Sequence, residues 1–176
     1  MALVSPHDGK RVPTDNINLS PKRILVITLR HLGDTLLTTP LISSLSQAYP
    51  DATIDVLVYN HTAGILENNA DIHNIISVPK NPNKQEYKTL LQTIFRRYDL
   101  AVNTQTGDRP FAYALLSARN RISVVPGSTE KGRWKRYFFQ GWVEFDDEKT
   151  HTVLQLLKLM DTIKKKKDFH LTPPTK

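Results

Sequence analysis

The sequence contains no cysteine, which excludes a disulfide framework, a thiolate metal site and a cysteine nucleophile. No apolar run approaches the roughly 20 residues that a membrane-spanning helix needs. The opening stretch MALVSPHDGKRVPTDNINLSPK lacks the apolar core of a secretory signal, and residues 1–21 read as a polar, flexible extension. Glycine is sparse, with 7 in 176 residues. Only Gly33 follows the first apolar run, so the G-x-G-x-x-G dinucleotide fingerprint is missing there. His61, His73 and His151 share no metal-ligand spacing, and no metal is expected. Acids are the scarcer charge, 17 against 24 basic residues, for a net charge of +7. That balance favours anionic partners: nucleic acid, lipid head groups or phosphorylated substrates. No helix-turn-helix, RNP or zinc signature accompanies it, so nucleic acid is not the expected partner.

What is present is enough apolar residue, 39% of 176, for one domain with a core. Short β-branched runs alternate with helical patterns. RILVITL (Arg23–Leu29) and TIDVLVY (Thr53–Tyr59) read as strands buried on both faces. Ile75–Val78, Asp99–Asn103 and Arg121–Val125 follow as three more. Between them, Leu32, Leu36, Leu37, Leu41 and Leu45 share one helical face. Further helices are expected at Thr62–Asn68, Lys84–Arg97, Pro110–Ala118 and Thr150–Lys165, the last turning Val153, Leu154, Leu157 and Met160 inward. This alternation predicts an α/β fold, a Rossmann-like parallel sheet with helices on both faces, over residues 22–170. Pro40 interrupts the first helical pattern. Either the helix kinks there, or Thr39 caps a helix that begins at Pro40.

In open α/β sheets, ligands bind at the carboxyl ends of the strands. The turn RHLGD, Arg30–Asp34, lies at such an end. Gly33 lets the backbone bend or approach a ligand without a Cβ. Asp34 sits where a helix dipole stabilises negative charge. Two readings stand side by side: a carboxylate that serves a ligand, or an N-cap that satisfies orphan amides.

R-x-x-L-G-D-x-x-x-x-T-P, then a helix ending in YPDA and the strand IDVLVY, resembles the N-terminal half of a known family. It is that of the lipopolysaccharide core heptosyltransferases, glycosyltransferase family 9, most of all their heptosyltransferase III type. The likeness extends through ENNADIHNI, VNTQTGDRP and HTVLQLLKLMD, to about Met160. The resemblance implies the N-terminal half of a GT-B fold. It implies an inverting transfer of heptose from ADP-heptose to the phosphorylated inner core of lipopolysaccharide, at the cytoplasmic face of the inner membrane. No cofactor is implied, ADP-heptose being the donor substrate. By the motif match Asp34 falls on the general base, and Arg30 on a basic position that reaches an acceptor phosphate or orients Asp34. Gln105, Gly107 and Arg109 resemble the acceptor loop, with Thr106 and Asp108 departing from its pattern.

A phosphorylated acceptor gives the positive charge a purpose. Between Arg119 and Arg136 lie six basic residues and one acid, Glu130. Among them Arg133 and Arg136, interleaved with Trp134, Tyr137, Phe138 and Phe139, are assigned to acceptor binding, in a loop that suits a charged glycolipid at a membrane surface. The other reading is a solvated loop with its aromatics folded onto the core. Members of the family are about twice this length. The donor-binding C-terminal domain is therefore expected to lie outside the chain, in cis or in trans, and the chain alone is expected to be inactive. The alternative is a non-catalytic module that retains acceptor recognition only.

Overall fold

In a computed structural model, residues 20–127, 133–145 and 151–169 are described, without the side chains of Arg133 and of 164–169. Six parallel strands form one sheet: β1 (Arg23–Thr28), β2 (Thr53–Tyr59), β3 (Asn74–Val78), β4 (Tyr98–Asn103), β5 (Ala118–Val125) and β6 (Gly141–Glu144). Their order is β3-β2-β1-β4-β5-β6. Strand β1 lies at the centre, with Ile24 opposite Ile54 on one side and Leu100 on the other. The strand order reverses beside it, and the carboxyl ends of β1 and β4 flank the resulting crevice.

Alternation along the strands feeds two cores. Ile24, Val26, Val56 and Val102 point to one face, where α2 (Thr39–Ala48) and α6 (Thr152–Phe169) pack with Leu41, Leu45, Leu159 and Ile163. Leu25, Ile27, Leu57 and Ala101 point to the other, under α4 (Lys84–Ile94) and α5 (Asp108–Ser117). Short helices α1 (Leu32–Leu37) and α3 (Asn60–Ala63) and two 3₁₀ turns, Gly64–Leu66 and Arg133–Phe138, complete the layers. This is the expected Rossmann-like sheet, with helices on both faces.

Several boundaries differ for physical reasons. Strand β6 is absent from the sequence pattern, because in GWVE only Trp142 and Val143 are apolar. It opens at Gly141, where a Cβ would meet the Thr162 hydroxyl at 2.8 Å and Ile122 at 3.1 Å. Only glycine lets α6 lie that close. Pro40 enters at the second position of α2, after a break at Thr38. Proline has no N–H to give to the Leu36 carbonyl. The Thr39 hydroxyl replaces it at 2.8 Å. The expected leucine face therefore divides: Leu41 and Leu45 are buried, whereas Leu32, Leu36 and Leu37 on α1 are exposed. Helix α6 is rotated relative to expectation and buries Leu156, Leu159, Met160 and Ile163, leaving Leu154 outside. Helix α4 starts at a capping box, Asn83 and Glu86 exchanging hydrogen bonds of 2.9 and 2.7 Å. It stops three residues short of the expected end: Phe95 leaves the helical region with ψ 111°, and Arg96 follows with φ 50°.

One polar group ties the core of the sheet. Tyr98 donates to Asp55 Oδ2 at 2.7 Å, and Arg23 lies 3.8 Å from the same oxygen. Burial, then the hydrogen bond to the Asp55 carboxylate, raises the Tyr98 phenol well above its ordinary range. A raised folded-state value means that stability is full below the unfolded value of about 10 and is lost as pH rises beyond it. Tyr98→Phe is expected to cost about 1–3 kcal/mol at neutral pH, because Asp55 loses its buried donor. It should also flatten the alkaline fall in stability, read by urea denaturation at a series of pH values. An unchanged midpoint and an unchanged alkaline limb would show that the hydroxyl contributes nothing.

Candidate functional site

Leaving β1, the chain passes through Leu29 and Arg30 into α1. His31 holds the N-cap position without a side-chain capping bond, and Asp34 lies in the first turn. Among the described residues the Asp34 carboxylate accepts no backbone amide. The capping reading of this residue is therefore not the one realised. Its partner is Arg30, Nη1 to Oδ1 3.7 Å, with the two side chains 22% and 33% exposed. The Arg30 guanidinium also lies 5.7 Å from the Phe145 ring centre. Phe145 is brought there by β6, its N–H donating to Val125 O at 2.8 Å. A carboxylate at the carboxyl edge of the central strand is thus paired to an arginine backed by an aromatic face. Among the described residues, apart from its chain neighbours and the backbone of its own helix, nothing comes within 4 Å of a Cβ placed on Gly33, so there is space beside it.

The turn after β4 forms the opposite lip. Asn103 is buried and donates to Gln105 O at 2.7 Å and to the Ser123 hydroxyl at 2.9 Å. The Thr104 N–H and hydroxyl both donate to Ile27 O, at 3.2 and 2.9 Å. Gln105 is 7% exposed. With its amide oriented to satisfy both neighbours, it accepts from Leu29 N–H at 2.9 Å and donates to Leu29 O at 3.2 Å. Its polar atoms are therefore used inside the fold, where they hold the residue that precedes Arg30. Gln105 positions the β1 turn instead of offering a free amide.

The other sequence-assigned residues do not converge on one point. Arg109 donates to Lys80 O at 2.6 Å and lies 5.9 Å over the Tyr87 ring, toward the β3–α4 connection. Arg136 stacks on Trp142 and Tyr137 at 5.6 and 5.3 Å. The Arg133 side chain lies outside the described residues. Within the basic stretch, Arg121 serves the fold: it donates to Phe138 O and Ala118 O at 3.0 and 2.9 Å, and burial lowers its pKa. Lys135, one of the six basic residues between Arg119 and Arg136, is buried. Its ammonium pairs with Asp108 and donates to Thr106 O at 3.1 Å. That tie anchors the loop after β4 to the Arg133–Phe138 turn. Phe139 is buried, Trp134 and Phe138 pack edge-on against Phe111 with much of each ring exposed, and Tyr137 is 73% exposed. Asn103, Ser123 and Phe145 escaped sequence reasoning. An Asn at the end of a strand is a weak signal, and Phe145 becomes relevant only once β6 is paired.

The fold and crevice define an open, doubly wound, Rossmann-like α/β domain. The comparisons agree. A glycosyl transferase family 9 protein from Veillonella parvula superposes with a TM-score of 0.68 at 23% identity, over 82% of this chain and 42% of that one. An Escherichia coli heptosyltransferase, in a structure with ADP-2-deoxy-2-fluoro heptose, superposes at 0.67 and 21% identity, over 88% of this chain and 50% of that one. At these identities the likeness is one of fold. In sequence, the chain is similar to lipopolysaccharide heptosyltransferase 3. The protein of that name from Escherichia coli strain K12 is 36% identical over 117 residues, 62% of this chain. A second Escherichia coli protein of the same name is 38% identical over the same length. The chain spans about a third of the length of the curated relatives it matches, 34% in each case. No family model matches the chain. Among the described residues no helix is long and apolar enough to cross a membrane.

Gln105→Ala is expected to leave the buried Leu29 N–H and C=O without partners and to cost about 1–3 kcal/mol. It should also speed hydrogen exchange at the Leu29 amide. Exchange at Leu29 equal to that of the parent would show that the Gln105 amide does not hold the turn.

Proposed function

We propose that this domain is the acceptor side of an inverting heptosyltransferase that transfers heptose from ADP-heptose to the phosphorylated inner core of lipopolysaccharide. The observation that carries the reading is the Arg30–Asp34 pair at the carboxyl end of β1, beside the strand-order reversal. The sequence likeness to lipopolysaccharide heptosyltransferase 3 supports it. Asp34 is the general base: the acceptor hydroxyl oxygen forms a bond to the anomeric carbon, the bond from that carbon to ADP breaks, and the hydroxyl proton passes to Asp34 Oδ. A carboxylate is intrinsically a weak base. It serves when the transition state is oxocarbenium-like, since the proton then leaves late and the negative charge stabilises the cation. Arg30 orients Asp34 and has guanidinium donors to spare for an acceptor phosphate. Gly33 leaves room for the sugar. Gln105 acts by holding Leu29, while Arg109 and Arg136 add to the positive charge of the domain without converging on Asp34. The donor site belongs to a second domain, in cis or in trans, and the chain by itself does not catalyse transfer. The enzyme works peripherally at the cytoplasmic face of the inner membrane, where the net charge of +7 and the exposed Trp134 and Tyr137 suit an anionic glycolipid surface.

Calorimetric titration of the chain with phosphorylated core oligosaccharide should give binding that weakens on dephosphorylation. ADP-heptose should give none. Donor binding without acceptor binding would overturn the assignment of sides. When the chain is joined to a donor-binding half, Asp34→Asn is expected to lower kcat by roughly 10²–10⁴-fold, with acceptor affinity little changed. Full turnover in that variant would remove Asp34 from the reaction.

A further inference from the structure

The amino-terminal edge of the sheet, opposite Arg30 and Asp34, carries a second concave surface. Arg96, Tyr98, Asp99, Arg119 and Asn120 line an open cavity of about 360 Å³. Two of the five are arginines, one from each side of the β4–β5 pair. Arg96 follows the last turn of α4, and Arg119 is the second residue of β5. Both side chains are exposed, and neither pairs with a carboxylate among the described residues. The acid in the wall is already engaged. Asp99 Oδ2 accepts the backbone amides of Lys22 and Arg23 at 2.8 and 3.0 Å. Asn120 is fixed by its bond to Asp99 O at 3.1 Å. Arg23 lies 5.1 Å over the Tyr98 ring and pairs with Asp55.

The backbone beneath Arg96 is unusual. Its φ of 50° is the one positive value at a non-glycine residue among the described residues. The position lies just past a helix end, where glycine is the residue of choice because a Cβ is penalised in the left-handed region. The Arg96 N–H donates to Leu116 O at 2.8 Å and holds the conformation. An arginine with no ion-pair partner thus occupies a place that the backbone reserves for glycine. Its guanidinium lies 5.8 Å over the exposed Phe95 ring, and the residue lines the cavity. Backbone strain of this kind concentrates at functional positions.

We propose that this cavity binds a phosphate group, with Arg96 and Arg119 supplying paired guanidinium donors and the Tyr98 ring as a wall. Planar guanidinium forks match phosphate oxygens bidentately. The site lies at the opposite end of the strands from the acceptor edge and does not rest on the reading of Asp34. A phosphate there comes from a soluble phosphorylated compound or from a lipid head group.

The test is a titration of the chain with inorganic phosphate at constant ionic strength, followed by amide NMR and thermal unfolding. The resonances of Arg96, Arg119 and Asn120 should shift saturably, with a rise in Tm. Arg96→Gly suits the backbone and keeps the fold. It and Arg119→Gln should each weaken phosphate binding at these amides about tenfold or more. Arg30→Gln should leave the shifts intact, which separates this site from the acceptor edge. Co-sedimentation with phosphatidic acid vesicles, against phosphatidylcholine vesicles, reads the source. Binding that needs Arg96 and Arg119 assigns a lipid head group, and phosphate shifts without vesicle binding assign a soluble ligand. Unshifted amino-edge amides in both arms, or shifts that persist in Arg96→Gly and Arg119→Gln, overturn the proposal.

Discussion

Strand β1 is covered on both faces and hydrogen-bonded along both edges, and that burial organises the molecule. A strand with Ile24, Leu25, Val26 and Ile27 all inaccessible needs an apolar layer above, another below, and a parallel neighbour on each side. Strands β2 and β4 supply the neighbours. Chain connectivity then does the rest. The first crossovers carry the chain one way to β3, and the return crosses β1 to place β4 on its far side. The polypeptide that emerges from β1 therefore opens into the crevice where the order reverses. Arg30 and Asp34 occupy that crevice as a consequence of what is buried behind them.

The polar residues at the carboxyl edge divide into two kinds. Asn103, Thr104 and Gln105 spend their hydrogen bonds on neighbouring backbone and on Ser123. Such satisfied buried groups set geometry, since leaving any one unpaired is costly. Arg30 and Asp34 form a loose pair, partly open to solvent. The first kind makes the edge rigid, and the second leaves reactive and charged groups available.

The basic stretch behaves differently from its appearance on paper. Six cations close together in sequence suggest one anion-binding surface. In three dimensions β5 and the Arg133–Phe138 turn scatter those that are described. Arg121 is half-buried among carbonyls, and Lys135 becomes a strut to Asp108 and Thr106. Arg119 lies at the amino edge, and Arg136 rests on Trp142. Long-range electrostatics still sees a net positive domain. Recognition of a phosphate at short range depends on the few guanidinium groups that the fold leaves uncommitted.

The sequence by itself determined the α/β class, because β-branched runs buried on both faces admit only a parallel sheet with helices on either side. It also determined that Arg30, Gly33 and Asp34 stand at a strand's carboxyl end, since strand boundaries follow directly from apolar periodicity. It pointed to the heptosyltransferases through motif likeness, which the relatives bear out. Only the tertiary structure decided what required partners distant in the chain. These include the pairing of the four-residue β6, the split of the leucine face at Pro40, the register of α6, the Phe145 ring against Arg30 and the burial of Gln105 against Leu29. The physical reason is that hydropathy records how much apolar surface a segment must hide. Which polar atoms are satisfied by which others is settled by packing between segments, and a linear pattern carries no record of it.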